Sequence, residues 1–151
     1  VARKAYSIRG FNASFKELDD AFIQRIDKIE KEFRKSMSKI AQDAKRDAPI
    51  GVLGPHPGQL ADSISWDEPG KLSYQLRADV PYAAYVEFGT GKYARQQLSI
   101  REGGQYWRDI ATPFKGKKDG NMKAQPYFYN NIRKELPKLR ERIAKILSKN
   151  A

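Results

Sequence analysis

The sequence has no cysteine and a single histidine in 151 residues. The first absence removes disulfides, thiolate metal sites and cysteine nucleophiles, and it agrees with a reducing compartment. The second leaves no pair of imidazoles for a metal and no histidine relay with a spare ligand. No apolar run approaches the roughly 18–20 residues that span a bilayer, so no membrane partner is expected. No apolar stretch follows Val1-Ala2-Arg3-Lys4, so no secretory signal is read there. No internal repeat is evident.

What the chain does have is positive charge, +11 net from 29 Lys+Arg against 18 Asp+Glu. The excess is uneven. Residues 1–14 carry 3 basic and no acidic side chains, 15–48 are nearly balanced, and 49–91 hold 2 basic against 5 acidic. Residues 92–123 (8 against 3) and 124–151 (7 against 2) are strongly basic. Such asymmetry points to a polyanion, or to a neighbouring subunit whose acidic part meets this basic part.

The length fits one domain over 1–151. Apolar residues at Phe15, Leu18, Phe22, Ile26, Ile29, Phe33, Met37, Ile40 and Ala44 recur at spacings of 3 and 4, which predicts a long amphipathic helix. Ser14 with Glu17 three residues on reads as a capping box at its start, and Pro49 stops it. Asp27/Lys31 and Glu30/Arg34 are i,i+4 pairs of favourable order. Alternation over Leu60–Asp67 and Leu72–Ala78 predicts two strands, joined by turn chemistry at Glu68-Pro69-Gly70-Lys71. Tyr82–Phe88 suits a strand or a short helix, and Pro81 favours the helix.

Residues 92–123 read as a surface insertion that a partner orders, with a short helix around Gln105–Ala111. The chain closes with an amphipathic helix whose apolar positions are Phe128, Ile132, Leu136, Leu139, Ile143, Ile146 and Leu147. Pro137 falls inside it and is expected to kink or split it. The fold class is α+β: a long N-terminal helix, a small mainly antiparallel sheet with a short helix, and a kinked C-terminal helix packed on the sheet.

The catalytic inventory is poor. His56, in Gly-Pro-His-Pro-Gly, reads as an exposed loop residue. Asp19-Asp20 and Asp67-Glu68 read as helix and turn charges, and Gly89-Thr90-Gly91-Lys92 lacks the spacing of a phosphate-binding loop. No catalytic residue, metal or cofactor is assigned, and the chain is not read as an enzyme; a small hydrolase would need convergent acid–base groups that the spacing does not supply. Arg133, Lys134, Lys138, Arg140, Arg142 and Lys145 surround the last helix, with Tyr127 and Tyr129 at its start. With Lys115, Lys117 and Lys118 of the insertion, Arg133, Lys134, Arg140 and Arg142 are candidate contacts for DNA or a partner. The corresponding alternative function is a basic module that contacts DNA non-specifically.

Several segments then matter in order: Asp47-Ala48-Pro49 with Gly58-Gln59-Leu60-Ala61-Asp62-Ser63-Ile64, then Tyr82-Ala83-Ala84-Tyr85-Val86-Glu87-Phe88-Gly89-Thr90-Gly91, then Ala124-Gln125-Pro126-Tyr127-Phe128. Over about residues 30–145 they resemble the tail-completion or head–tail joining proteins of long-tailed bacteriophages, the family that includes minor tail protein Z of lambda-like phages. The link between Pro49 and Gly58 and the segment 92–123 are longer than in many members.

The resemblance implies a virion protein assembled in the host cytoplasm, a ring of six copies at the head–tail junction. Its implied partners are itself, portal or adaptor proteins, and tail-terminator or tail-tube proteins. Tyr82, Tyr85, Glu87, Phe88, Gly89, Thr90 and Gly91 are expected to frame a sheet–helix junction or a subunit interface. The plainer reading makes Tyr82, Tyr85 and Phe88 ordinary core, at i, i+3 and i+6 of a short helix.

Overall fold

A computed structural model describes residues 12–51, 56–93 and 121–149, with side chains in the first segment from Asp20 onward. The expected surface insertion and its short helix, with Lys115, Lys117 and Lys118, lie almost wholly outside the described residues.

Helix α1 runs from Asn12 to Asp47, roughly 54 Å at 1.5 Å per residue. Ser14 therefore falls inside the helix and is not its cap, a correction to the capping-box reading. Pro49 ends it as expected, since a residue before proline is pushed out of the helical region. A single turn, α2 (Gln59–Asp62), precedes strands β1 (Ile64–Gly70) and β2 (Ser73–Ala78). Leu60–Asp62 is thus helical, not the start of a strand. The Ser63 hydroxyl donates to the Leu60 carbonyl at 2.7 Å and closes that turn.

The strands pair antiparallel from Ile64↔Ala78 to Asp67↔Gln75, slip between Asp67 and Gly70, and resume at Gly70↔Ser73. The hairpin turn is therefore Lys71-Leu72, two residues later than Glu68–Lys71. Pro69 lies at the slip, where a missing N–H costs no ladder bond. Leu72 holds φ +55, the left-handed region that disfavours a side chain. Leu72→Gly is expected to stabilise the fold by about 1 kcal/mol, read as a rise in the urea midpoint with an unchanged slope.

Helix α3 (Ala83–Phe88) and a 3₁₀ turn (Gly91–Tyr93) follow, and α4 (Tyr129–Ser148) ends the described fold. Pro81 precedes α3 by two residues and so lies outside it. α4 continues through Pro137 without splitting. It lies antiparallel to α1: Asn131 Nδ2 donates to Asp47 Oδ2 at 3.0 Å near one end, and Arg25 Nη2 to the Lys149 carbonyl at 2.9 Å at the other. Its main packing partner is α1 and not the sheet. The reason is that α1 carries two inward faces.

One of those faces, through Glu32, Ser36, Ile40 and Asp47, meets α4. The other, through Phe33, Ala41, Ala44 and Ala48, meets the hairpin and α3. The core gathers Ala41, Ala44 and Ala48 with Leu60, Ile64, Ala83, Val86 and Tyr127. The small side chains of α1 let α2 and β1 approach closely. On the hairpin side Phe33 stacks on Tyr74 at 4.9 Å, and Arg34 grips Glu68 at 2.9 and 3.0 Å. Glu30 meets Arg34 at 3.7 Å, the expected i,i+4 pair.

Candidate functional site

The segment 82–91 and the segment 121–129 are far apart in sequence, and the fold brings them edge to edge. Val86 O accepts from Gln125 N at 2.8 Å, and Thr90 N donates to Met122 O at 2.9 Å. Thr90 Oγ1 accepts in turn from Met122 N at 2.9 Å, and Lys92 N donates to Asn121 Oδ1 at 3.0 Å.

Glu87 closes this junction. Its carboxylate is buried, 5% exposed. Oε2 accepts from the N–H groups of Tyr127 at 2.8 Å and Phe128 at 3.0 Å, and Oε1 from that of Tyr129 at 3.1 Å. The Tyr129 amide opens α4, and those of Phe128, at the cap position, and Tyr127 lead into it. The first N–H groups of a helix have no partner within it, and they carry the positive end of its dipole. Phe128, at the cap position, supplies no side-chain acceptor, so Glu87 supplies one from another segment. The carboxylate is a cap delivered in trans along the chain.

Around it, the Tyr127 hydroxyl donates to the Ala83 carbonyl at 3.2 Å, and burial, helped by the Glu87 charge, pushes that phenol well above its usual range. Phe88 stacks on Tyr129 at 5.7 Å. Gly89 holds φ +79, and a Cβ there would lie 2.8 Å from both Ala124 N and Met122 O.

The other members of the block are placed as follows. Thr90 is fully buried in the junction, and Gly91 begins the 3₁₀ turn with φ +56. Tyr82 is half-buried and donates to Gln59 Oε1 at 3.3 Å, and Tyr85 is half-buried. The core positions of α3 are Ala83, Val86 and Phe88. Of the i, i+3, i+6 row, Phe88 alone is buried, while Tyr82 and Tyr85 are half-buried and Ala83 and Val86, each one residue later, take the core positions beside it.

A second polar cluster lies between α1 and α4. Ser36 Oγ donates to Glu135 Oε1 at 2.8 Å, and Arg142 Nη2 reaches that same oxygen at 2.8 Å as well as Ser36 Oγ. Arg142 Nε forms an ion pair with Glu32 Oε2. Arg142 is therefore spent inside the fold and is withdrawn from the candidate DNA contacts, whereas Arg133, Lys134 and Arg140 are exposed. Burial pushes the Glu135 carboxyl up, but the Arg142 guanidinium and the Ser36 hydroxyl outweigh it and hold the group below its ordinary 4.5.

A depressed folded pKa contributes stability above pH 4.5 that is lost as pH falls through the folded value. Arg142→Met leaves both carboxylates without their cation and is expected to cost about 2 kcal/mol near pH 7. The variant's deficit should shrink as the pH falls from 4.5 through the depressed pKa of Glu135, where the folded carboxylate becomes neutral. Urea unfolding at pH 7 and pH 4 checks both the magnitude and the sign.

His56 is exposed. Among the described residues, no three of His, Cys, Asp and Glu cluster to hold a metal, and no helix is long and apolar enough to cross a membrane. The shallow groove beside the junction is lined by Ala78, Ala84, Phe88 and Phe128 with Glu87. Its one carboxylate is engaged by three amides.

Residues 11–89 match the model of a family described as "Bacteriophage HK97-gp10, putative tail-component". That span covers α1 through the end of α3 and stops at Gly89, before the partner segment of the junction. No curated protein and no solved structure gives a significant match.

Proposed function

This chain belongs to the HK97-gp10-like family of bacteriophage tail components, and from that premise we propose that it joins or completes the tail at the head–tail junction as one subunit of a ring. Its neighbours in this reading are further copies of itself, six around the ring. Portal or adaptor proteins lie to one side, and tail-terminator or tail-tube proteins to the other. The role is structural and uses no cofactor. The finer resemblance, to tail-completion proteins such as the lambda-like protein Z, belongs to the same proposal.

The supporting observation is the length of α1 against what covers it. α4 ends beside Arg25, yet α1 extends a further 13 residues toward its N-terminus. Phe22 and Ile23, in this overhang, are 63% and 49% exposed, and Leu147 at the end of α4 is 58% exposed. Phe22 lies on the inward row that further along carries Phe33 and Ile40 into the core, so the apolar stripe outlasts the domain. Large apolar side chains clustered in the open mark a contact surface, and a second copy is the occupant a closed ring supplies.

The double variant Phe22→Asp with Ile23→Asp is expected to keep its melting temperature within about 3 °C, because both positions are exposed. It should weaken each subunit contact by about 4 kcal/mol, roughly a thousandfold in association. The check is complementation of the phage whose copy of the gene is disrupted. Wild-type protein should restore joined particles and the double variant should not. Equal rescue by a folded variant would remove this surface from the proposal.

A further inference from the structure

Helix geometry places a second feature on the opposite side of the molecule. At about 100° per residue, α1 meets α4 through Glu32, Ser36 and Ile40, and meets the hairpin through Phe33, Arg34 and Met37. The remaining face of α1 carries Lys28, Lys31 and Lys35, all exposed. On α4 the face toward α1 holds Asn131, Glu135, Leu139 and Arg142. Tyr129 turns toward α3, where it stacks on Phe88. The flank of α4 on the other side carries Lys134, Lys138 and Lys145, spaced 4 and 7 and also exposed. Because the helices are antiparallel, both lysine rows emerge on one face of the two-helix layer, away from the hairpin. The position of Lys134 agrees: Asp47 at the end of α1 is held below its ordinary pKa by hydrogen bonds from Arg46 and then Asn131, and the Lys134 charge adds a smaller push in the same direction.

Among the described residues none of these six lysines has an acidic partner within 4.0 Å. Most acids nearby are spent, Asp43 on Lys39 and Arg46, Asp47 on Arg46, Glu32 and Glu135 on Arg142. The exposed Asp27, four residues before Lys31, lies farther than 4.0 Å from it, so the expected Asp27/Lys31 pair does not form. Glu141 is the one exposed acid between the lysines of α4. Arg140 lies six residues from Lys134, about 120° round the helix, and Arg133 lies close to Arg140. Neither belongs to this row.

We propose that the lysine face formed by Lys28, Lys31 and Lys35 of α1 with Lys134, Lys138 and Lys145 of α4 binds the phosphate backbone of duplex nucleic acid without reading its sequence. A second copy of this chain is a poor occupant, because its hairpin acids are already paired: Glu68 with Arg34 and Asp67 with Arg77. Exposed ammonium groups without acidic partners, set in two rows, suit a regular array of phosphates, each neutralised by a point charge. No aromatic side chain interrupts the rows to stack an unpaired base, which favours a duplex over a single strand. The proposal uses α4, outside the family match, and stands independently of ring assembly.

The test is the salt dependence of binding by the full chain to a fluorescent 30-base-pair duplex of arbitrary sequence. Lys134→Gln, Lys138→Gln and Lys145→Gln together should flatten the log K against log salt slope by about 2.7, at 0.9 per phosphate contact. The triple on α1, Lys28→Gln, Lys31→Gln and Lys35→Gln, should do the same. A control that removes equal charge from the hairpin side, Lys71→Gln, Lys92→Gln and Lys123→Gln, should leave the slope within about 0.5 of wild type. Changing the duplex sequence should change nothing. The proposal is overturned if the control flattens the slope as much as the face variants, since net charge alone would then explain binding. It is equally overturned if the duplex fails to bind at 50 mM salt, or if polyglutamate of matched charge binds more tightly than the duplex, which would make the face a site for an acidic protein.

Discussion

Replacing Glu87 with alanine is expected to cost about 4 kcal/mol, because it strands three amide donors in a buried place. The carboxylate accepts from Tyr127, Phe128 and Tyr129 N–H at 2.8–3.1 Å. Hydrogen bonds with one charged partner are each stronger than neutral ones, and water has little access to replace them. At the size of this domain the loss corresponds to a fall in melting temperature of roughly 10 °C. Glu87→Gln keeps an acceptor oxygen but puts an amide donor against backbone donors, so an intermediate loss of about 2 kcal/mol is expected. Glu87→Asp keeps the charge but shortens the reach, and should fall between wild type and alanine. Thermal and urea unfolding rank the three. A Glu87→Ala protein with wild-type stability would show that the carboxylate is not the cap of α4.

Gly89→Ala should be at least as damaging, for two reasons that act together. Gly89 sits at φ +79 and ψ 179, a region essentially restricted to glycine and worth about 1–3 kcal/mol of strain to any other residue. The added Cβ would also meet Ala124 N and Met122 O at 2.8 Å. Both are backbone atoms, so neither can turn aside like a side chain. Relief requires the segment 121–125 to move away from 86–90, which breaks the bonds from Gln125 to Val86 and between Thr90 and Met122. The expected cost is about 4–5 kcal/mol. Amide exchange should locate the damage, with protection lost first at Thr90 and Gln125 and retained longest in the middle of α1. Uniform loss of protection, or none, would contradict a local clash.

These two positions show what a sequence makes legible and what it hides. The long α1 was visible because its apolar spacing repeats through many turns, and Pro49 marks its end. The block containing Glu87, Gly89 and Thr90 stood out as a motif, but its chemistry did not. The partners of Glu87 are 40 or more residues away, and no local pattern encodes that distance. A signal was present nonetheless. The last helix begins at Pro-Tyr-Phe-Tyr with no Ser, Thr, Asp or Asn to cap it, and such a helix must find its acceptor elsewhere in the chain.

The inward role of Arg142 is hidden for a comparable reason, since a charged residue near a helix end is ordinarily solvated. Yet Phe128, Ile132, Glu135, Leu139, Arg142 and Ile146 repeat at spacings of 4 and 3. That row puts both charges on the inward face of α4, where they pair around Ser36. The lysine face is not legible in the sequence because it is shared by helices about 100 residues apart, and only their antiparallel packing brings the two rows together. The strand reading failed at Leu60–Asp62, where a single helical turn is too short for any period to declare itself.

The most direct measurement is electron microscopy of lysates from the phage with this gene disrupted, with and without the purified chain added back. A role in joining or completing tails predicts separate filled heads and separate tails in the disrupted lysate. It also predicts joined particles once the chain is restored. Intact, joined and infectious particles in its absence would contradict the account.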